Sequence, residues 1–328
     1  MFEMRGTVRH YDWGSPTAIP ALLGMQQDGL PWAEVWFGDL PTAPSAVNTA
    51  DGWTELRSGQ LPYLAKLLAA DGPLSLQTHP TAEAAEAGFE RENRAGIPID
   101  AANRIYRDPA AKPEILVALA PFSALCGFRP MTATVDLLEA IGAADLSQAL
   151  TTDGLRSTFE SVMRTSADES VVAACASATG IAEAAWAARL AELYPGDPAA
   201  VASLLLNLLE LRPGEAIYLA AGNIHAYLHG VGLEVMGPSD NVVRCGLTTK
   251  HVDIDEMLAT VDFAPLVEPR VPIIDGSFAT PGAPFVVKCS AGSAIAAGET
   301  IPFESWFIPP HHMQFDIEGA VYTITPSR

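Results

Sequence analysis

The stretch that decides the fold runs from residue 213 to residue 227 and reads PGEAIYLAAGNIHAY. A Pro-Gly pair opens it and predicts a turn, and the apolar run that follows predicts a strand over residues 215–220. A Gly-Asn pair then predicts a second turn, followed by a strand over 225–229 that begins with His225. A third strand is predicted over 232–236. This succession of short strands indicates a β domain with a histidine at the beginning of a strand.

Two further segments, QTHP at 77–80 and KPE at 112–114, supply groups that can join His225 in a metal site. Residues two apart in a strand share a face, so the Gln and His of QTHP point the same way, as do His225 and Tyr227. Two imidazoles, a carboxylate and an amide oxygen form a shell for a divalent metal with one open position, and zinc accepts such ligands. The predicted ligands are Gln77, His79, Glu114 and His225.

The composition is that of a globular protein with a large core. The 328 residues are 49% hydrophobic and 18% charged, which predicts two or three domains without extensive disorder. A net charge of −20 disfavours nucleic acid and anionic membranes as partners, so a phosphorylated ligand would need a local group of cations. No apolar run of membrane-spanning length and no signal peptide is seen, and the four cysteines form no C-x-x-C pair. A cytoplasmic protein with reduced thiols is expected.

Strand and helix signals divide the chain into a β part with a helical insert. Strands are predicted over 61–68, 74–79 and 114–119, and a helix over 81–94 capped by Thr81. From about 131 to 209 the spacing of Leu, Ala and Glu is helical. In that region Asp197 predicts an N-cap with Pro198 in the first turn, and residues 204–211 are predicted to continue the helix. The insert is expected either to wall the site or to add bulk.

The C-terminal part, from residue 266 to residue 328, is short. Its 63 residues are too few for eight ordinary strands of about 5–6 residues with their turns. His311 and His312 are adjacent and would face opposite sides of a strand, so they are predicted to be surface or packing residues and not ligands.

A series of motifs resembles the type I phosphomannose isomerases. In chain order these are YDWGS (11–15), AEVW (33–36), PLSLQTHP (73–80), KPE (112–114), CGFRP (126–130), NIHAY (223–227) and SDNVVR (239–244). The resemblance extends from about residue 5 to residue 260. It implies a mainly β fold of the cupin type, a jelly roll that holds metal ligands at its mouth. The turn–strand–strand pattern at 213–229 fits that fold.

The resemblance implies three regions. A discontinuous catalytic cupin domain would span 1–130 and 210–265, with an all-helical insert at 131–209. A partial β domain at 266–328 would be a truncated or reduced second jelly roll. The implied activity is interconversion of mannose 6-phosphate and fructose 6-phosphate through a cis-enediol(ate), with one Zn²⁺ per chain, although other divalent metals fit as well. The implied partner is a phosphorylated hexose, and the implied state is a monomer or weak homodimer.

Roles for further residues follow from the same resemblance. Lysine occupies only four positions in a chain that otherwise uses arginine, and three of the four lie in or beside the motifs. Catalytic roles are implied for Lys112, Glu234 and Arg244, and the residues do not assign which group is base and which is acid. Arg244 would stabilise the enediolate or hold phosphate. Contacts with the sugar phosphate are implied for Trp13, Lys66, Ser75, Tyr227 and Lys250.

Two alternatives stay open at the level of sequence. Another cupin metalloenzyme, such as an iron oxygenase, would use two His and one carboxylate, but the amide ligand and the surrounding cations favour an anionic sugar. A sugar-phosphate-binding protein with a disabled site is the second alternative, which the short C-terminal part leaves open.

Overall fold

The computed structural model describes residues 2–59, 61, 63–271, 285–296, 299–301, 305–308 and 315–323. Within these ranges the strands are β1 Phe2–Arg5, β2 Thr7–Arg9, β3 Glu34–Phe37, β4 Ala46–Thr49, β5 Gly52–Glu55, β6 Leu64–Ala70, β7 Leu76–Thr78, β8 Glu114–Ala118, β9 Phe122–Phe128, β10 Leu206–Leu211, β11 Ala216–Leu219, β12 His225–Met236, β13 Val243–Gly246, β14 Arg270–Val271, β15 Phe285–Ala296, β16 Glu299–Ile301, β17 Ser305–Ile308 and β18 Phe315–Thr323. The helices are α1 Ala18–Leu22, α2 Ala82–Arg94, α3 Met131–Ala140, α4 Ala144–Met163, α5 Glu169–Ser177, α6 Ala182–Leu193, α7 Ala199–Ala202 and α8 Ile254–Thr260, with a 3₁₀ turn at Ser203–Leu205.

Two sheets organise the β part. The larger has the strand order β14-β11-β8-β12-β6-β3-β2, and β7, β9, β10 and β13 join it through the N-terminal half of β12. The other has the order β16-β15-β17-β1-β4-β5, with β18 paired to β15. The first strand of the chain thus pairs with β17, from the C-terminal part. His311 and His312 lie outside the described residues, so their predicted role stays a prediction.

Strand β12 links two groups of strands in the larger sheet. Its first half pairs with β7 and β9, and its second half pairs with β6 and β8. Separate strands predicted over 225–229 and 232–236 are therefore one strand of 12 residues. Gly230 lies at the change of partners with φ of 129°, where a Cβ atom would lie 2.6 Å from the carbonyl oxygen of Pro121. Glycine is required there, and it bends the strand so that both halves serve one site.

Replacing Gly230 by alanine is expected to lower the free energy of unfolding by about 2–3 kcal/mol, because the side chain meets backbone atoms in a strained conformation. Urea denaturation of the zinc-loaded protein measures the change. Gly72→Ala is the control, since Gly72 has open space around its Cα and no positive φ. An equal stability of the two variants would contradict the argument.

The other strand predictions are confirmed within a few residues, and so is the helix predicted over 81–94. The observed elements are β6, β7, β8 and β11. Thr81 caps α2 as predicted, since its Oγ1 accepts a hydrogen bond from the amide of Ala84 at 3.2 Å. The N-cap predicted at Asp197 is one residue off, since Pro198 holds the N-cap position of α7, and Asp197 just before it accepts a hydrogen bond from the amide of Ala199 at 2.9 Å.

One helix prediction is wrong. Residues 204–211 were expected to be helical, but the helical region ends with the 3₁₀ turn at Ser203–Leu205, and Leu206–Leu211 is a strand antiparallel to β9. A leucine-rich run satisfies helical and strand spacing equally, and here the edge of β9 supplies the backbone partners that decide between them. The helical stretch expected to run to 209 and beyond therefore ends at Leu205.

The helical segment shares its core with the sheet. Phe159, Met163 and Leu190 of the helices pack in one cluster with Phe128 and Leu228 of β9 and β12. A separate small core joins the helices among themselves around Leu138 and Leu150. The insert is thus fastened to the strands that carry the site. Among the described residues, no helix is sufficiently long and apolar to cross a membrane.

Candidate active site

A cavity of about 750 Å³ opens on one face of the larger sheet. Ten of the twelve residues that the sequence singled out line it. They are Trp13, Lys66, Ser75, Gln77, Lys112, Glu114, Tyr227, Glu234, Arg244 and Lys250. The other two, His79 and His225, are buried directly behind Glu114 and contact its carboxylate. Segments that are far apart in the chain therefore converge on one cavity.

Two rows of side chains across neighbouring strands build this cavity. In one row, Trp36, Lys66 and Glu234 lie opposite one another on β3, β6 and β12. In the other, His225, Gln77 and Arg244 lie opposite one another on β12, β7 and β13. Directly opposite residues in antiparallel strands share a face, so each row presents its side chains together. Strand β12 contributes to both rows because it bends between them.

The buried trio His79, Glu114 and His225 has the geometry of a metal site. His79 Nε2 lies 3.3 Å from Glu114 Oε1, and His225 Nε2 lies 3.4 Å from Glu114 Oε2. One ligand atom from each residue can be chosen so that all lie within 4.8 Å of one another. The imidazole rings are tilted by 51° with centroids 5.1 Å apart, so both can present a nitrogen to one ion.

Backbone carbonyls fix the tautomer of both histidines. His79 Nδ1 lies 2.9 Å from the carbonyl oxygen of Asn241, and His225 Nδ1 lies 3.0 Å from that of Asn223. A carbonyl oxygen only accepts, so each Nδ1 donates, and a neutral ring then directs the lone pair of Nε2 towards Glu114. Hydrogen bonds that hold the outer nitrogen in this way are typical of metal-ligating histidines.

The electrostatics of the trio favour a bound cation. Apart from the ion pair that Lys112 forms with Glu114 Oε1 at 2.9 Å, the Glu114 oxygens and His79 Nε2 have no hydrogen-bond partner outside the trio, although all three atoms are buried. Burial together with the charge of Lys112 lowers the pKa of His79 to about 4, so its ring is neutral near pH 7. Burial alone would raise the pKa of Glu114, but Lys112 and His79 hold it well below its usual range. The neutral imidazole of His79 and the ionised carboxylate of Glu114 thus converge with His225 Nε2, a donor set that fits a divalent metal.

Gln77 completes the donor set. Its side-chain nitrogen lies 3.5 Å from His225 Nε2, in the row that it shares with His225. A rotation of 180° about the last side-chain torsion exchanges the amide nitrogen and Oε1, so that Oε1 faces the metal trio. Two nitrogens and two oxygens of this kind are ligands that zinc accepts, and the side towards the cavity stays open for substrate.

A second charged cluster lies beside the trio on the same sheet face. Lys66 Nζ is 2.9 Å from Glu234 Oε2 and 3.8 Å from Glu34 Oε1, and Tyr227 donates its hydroxyl to Glu234 Oε1 at 2.8 Å. Burial opposes the ammonium of Lys66, but Glu234 and Glu34 together raise its pKa. Burial raises the pKa of Glu34. Both oxygens of Glu234 are therefore held, one by a cation and one by a phenol.

Lys112 faces the metal trio from the beginning of β8. Its Nζ lies 2.9 Å from Glu114 Oε1, and both side chains are almost fully buried. Lys112 precedes β8, and its side chain and that of Glu114 line the same cavity across Pro113. Pro113 has no backbone N–H to donate, but its carbonyl accepts a hydrogen bond from the amide of Gly237, which holds this segment in position.

Cations gather at the mouth of the cavity. Burial and the nearby Arg107 lower the pKa of Arg244, and burial and Arg244 lower that of Lys250. Asp240 is the acidic group nearest to them, and it forms its ion pair with Arg107 at 3.0 Å. Like charges held together in this way repel one another until an anion binds.

The helical insert forms one wall, as the first of its two expected roles requires. Arg189, Leu193 and Tyr194, in and just after α6, line the cavity. Tyr194 donates its hydroxyl to the carbonyl of Pro73 at 3.2 Å, which joins the insert to the segment before β7.

Some participants were missed in the sequence. Glu34 and Trp36 line the cavity, and Trp36 donates its indole N–H to Glu34 at 2.7 Å. Their AEVW motif was noted, but nothing local shows that a carboxylate there faces Lys66. Asn241 was also missed: its carbonyl accepts from His79, while its side-chain oxygen accepts from the amide of Arg107 at 2.7 Å.

Comparisons with known proteins agree with this site. Residues 1–131 match the family described as phosphomannose isomerase type I, catalytic domain. The chain is 38% identical over 297 residues to the mannose-6-phosphate isomerase of Salmonella typhimurium, an alignment that covers 81% of this chain and 75% of that protein. It is 30% identical over 321 residues to the human protein of the same name, with 81% and 74% covered. The chain therefore belongs to the type I phosphomannose isomerase family.

Solved structures give the same result over more of the chain. A phosphomannose isomerase from Salmonella typhimurium superimposes with a TM-score of 0.88 at 32% identity, covering 98% of both chains. The Salmonella typhimurium enzyme bound to fructose 6-phosphate and zinc superimposes with a TM-score of 0.82 at 32% identity, covering 96% of this chain and 94% of that one. The sheet-rich architecture with several helices is common to them.

Proposed function

We propose that the protein is a zinc-dependent aldose–ketose isomerase that interconverts mannose 6-phosphate and fructose 6-phosphate through a cis-enediol(ate). One observation carries this proposal. The buried donor atoms of His79, Glu114 and His225 converge beside a cavity that Lys112 and Glu234 line and that has Arg244 and Lys250 at its mouth. A metal beside paired charges suits the movement of a proton next to a carbonyl, and cations at the mouth suit a phosphate.

Gln77, His79, Glu114 and His225 would hold one zinc ion. When bound, zinc would polarise the carbonyl and hydroxyl oxygens of the sugar and offset the negative charge that develops on them. The paired carbonyls of Asn223 and Asn241 keep both imidazoles in the tautomer that can coordinate.

Proton transfer falls to the groups that surround the sugar carbons. A base must take the proton from C2 and return it to C1, while a second group moves the hydroxyl proton. Lys112 and Glu234 are the candidates, because both are buried in the cavity wall. Lys112 contacts Glu114, and Glu234 lies on β12, next to the strand that begins with Glu114. Tyr227 and Lys66 hold the Glu234 carboxylate in position by contacts of 2.8 and 2.9 Å. Trp13 and Ser75 would contact the sugar from the opposite side.

The phosphate would bind at the mouth. Arg244 is half-buried and Lys250 is exposed, and neither has an ion pair within 4.0 Å among the described residues, whereas Lys66 and Lys112 are paired with carboxylates. An unpaired guanidinium gives a phosphate two parallel hydrogen bonds. We therefore favour the phosphate role of Arg244 over direct stabilisation of the enediolate, and Lys66 would act mainly through Glu234.

Arg244→Lys is expected to stay folded and lose at least about tenfold in kcat/KM, a loss of about 1.4 kcal/mol in transition-state stabilisation, because lysine keeps the charge but not the bidentate fork. A coupled isomerase assay and a thermal melt measure the two quantities. Arg94→Lys, at an exposed position of α2, is the matched control. Unchanged kinetics, or loss of the fold, would contradict the assignment.

A coupled assay before and after chelation tests the function itself. Turnover of mannose 6-phosphate that disappears with a chelator and returns with zinc is the expected result. Binding of the sugar phosphate without turnover would instead favour a disabled binding protein. Iron with oxygen-dependent chemistry would favour another cupin metalloenzyme.

The finer organisation is also part of the proposal. We place a discontinuous cupin jelly roll at 1–130 and about 206–265, a helical insert at about 131–205, and a further β segment from 266 onwards. The convergence of metal ligands on one sheet face supports the jelly roll. A cytoplasmic monomer or weak dimer is the accompanying expectation, and size-exclusion chromatography with light scattering tests the second part.

A further inference from the structure

Asp197 joins the helical insert to the wall of the cavity. One carboxylate oxygen, Oδ1, accepts a hydrogen bond of 2.9 Å from the amide of Ala199 at the beginning of α7. The other, Oδ2, accepts a hydrogen bond of 2.7 Å from the amide of Leu247, immediately after β13. A single side chain thus binds the first amide of a short helix and also holds a segment 50 positions further along the chain.

Leu247 has an unfavourable backbone conformation at the point where Asp197 holds it. With φ of 53°, it is the sole non-glycine residue of positive φ in the part of the chain that the structure describes. Leucine has no local hydrogen bond to favour that region, so the surroundings must impose it. Its side chain is 1% exposed, and its amide is bound by Asp197.

The neighbouring Gly246 shows how closely the two segments approach. A Cβ atom there would lie 2.5 Å from Ala199 Cβ and 2.8 Å from Asp197 Oδ1. Glycine therefore permits a contact between the end of β13 and the first turn of α7 that no other residue would allow. The position of the segment after β13 is set by the insert.

The segment that Asp197 holds carries polar groups into the cavity mouth. Leu247, Thr248, Thr249 and Lys250 all line it. Thr248 Oγ1 accepts a hydrogen bond from the amide of Lys250 at 3.1 Å, which closes a compact turn. The conformation at Leu247 decides the direction in which this turn leaves β13, and so decides where Lys250 stands relative to Arg244.

We propose that Asp197 is a positioning residue for substrate binding: through the amide of Leu247 it holds the 247–250 turn so that its polar groups and Lys250 meet the phosphate of the sugar. This inference rests on the proposed function of the cavity. Asp197 touches no substrate atom in this account. Its effect reaches the phosphate through the backbone of Leu247, and the helical insert thereby contributes to recognition and not only to the wall.

Asp197→Asn and Asp197→Ser test the role. Each keeps one oxygen that can accept from the amide of Ala199, but neither can serve two amides, and the Asn amide would present a donor to a donor. We expect the Kd for a hexitol 6-phosphate, which has no carbonyl to isomerise, to rise by about tenfold in calorimetry, as loss of a hydrogen bond to a charged acceptor allows. KM for mannose 6-phosphate should rise in parallel, while kcat and zinc content stay near their original values.

Asp168→Asn and Asp168→Ser are the matched controls. Asp168 caps α5 of the same insert through the amides of Ser170 and Val171 and lies away from the cavity. These variants should lose comparable thermal stability and keep the original Kd and KM. Unchanged Kd and KM in the Asp197 variants, or equal changes in both sets, would overturn the inference.

The assay separates this inference from the proposed function. Wild-type protein that binds the hexitol 6-phosphate but does not isomerise mannose 6-phosphate would refute the proposed isomerase activity, and the Kd comparison would still decide the role of Asp197. Wild-type protein that shows neither binding nor turnover would refute both.

Discussion

Replacing His79 or His225 by alanine is expected to remove zinc from the protein and to lower kcat/KM by more than about a thousandfold, since even residues behind the ligands cost 10–100-fold. Each histidine supplies a lone pair that faces the Glu114 carboxylate at 3.3–3.4 Å. Without one of them, the ion keeps too few ligands and the charge on the sugar oxygens is no longer offset. The fold should largely survive, because His225 begins β12 and His79 directly follows β7, and both strands are held by ladders on either side.

His229→Ala is the matched control for this experiment. His229 lies on β12 four positions after His225, but its side chain is exposed and away from the site. Elemental analysis of the purified variants and the coupled assay should show one zinc per chain and normal turnover in the control alone. Full zinc occupancy in His79→Ala and His225→Ala would refute the ligand assignment.

The second large effect is expected from Lys112→Met, which keeps the apolar stem and removes the charge. If Lys112 supplies a proton or a charge to the isomerisation, kcat should fall by about 10²–10⁴-fold, the range typical of a positioned acid or base. Zinc content should stay near one per chain, because all four ligands remain and a cation 2.9 Å from Glu114 has been removed. If Lys112 transfers the proton, the pH–rate profile of the Lys112→Met variant should also lack one limb.

The same substitution at Lys250 provides the comparison. Lys250 stands at the mouth, so Lys250→Met should raise KM and leave most of kcat, whereas Lys112→Met should act on kcat. Near-normal turnover with an unchanged pH profile in Lys112→Met would remove Lys112 from the mechanism. Equal changes in KM for both variants would show that Lys112 serves only as a general cation.

The parts of the site that sequence could predict are those that depend on local periodicity. Residues two apart share a strand face, and this alone predicts that His225 lies on the same side as Tyr227 and Lys112 on the same side as Glu114. Thr81 as a helix cap is a local signal of the same kind. That residue 77 lies beside residue 225 could be predicted only from the family resemblance, because no local sequence rule brings such distant segments together.

The parts that sequence could not predict depend on pairing between distant strands. Lys66 and Glu234 meet across 168 positions, and their contact follows from the register of β6 and β12. The helix expected over 204–211 became a strand because β9 offered an edge. Asp197 was predicted as the N-cap, a position that Pro198 takes, and its second oxygen reaches Leu247 in a segment that only the folded chain brings near.

The position of the metal ligands has a consequence for the durability of the protein. Gln77 and His225 are separated by 148 positions, and the whole helical insert lies between them. An ion coordinated by residues in or beside β7, β8 and β12 would therefore link the part of the chain before the insert to the part after it. The strands on either side of the insert can then separate only after the ligands release the ion. Proteases should therefore cleave the chain at the ends of the insert far more slowly in the metal-loaded protein. Metal depletion would therefore shorten the lifetime of the protein as well as abolish its activity.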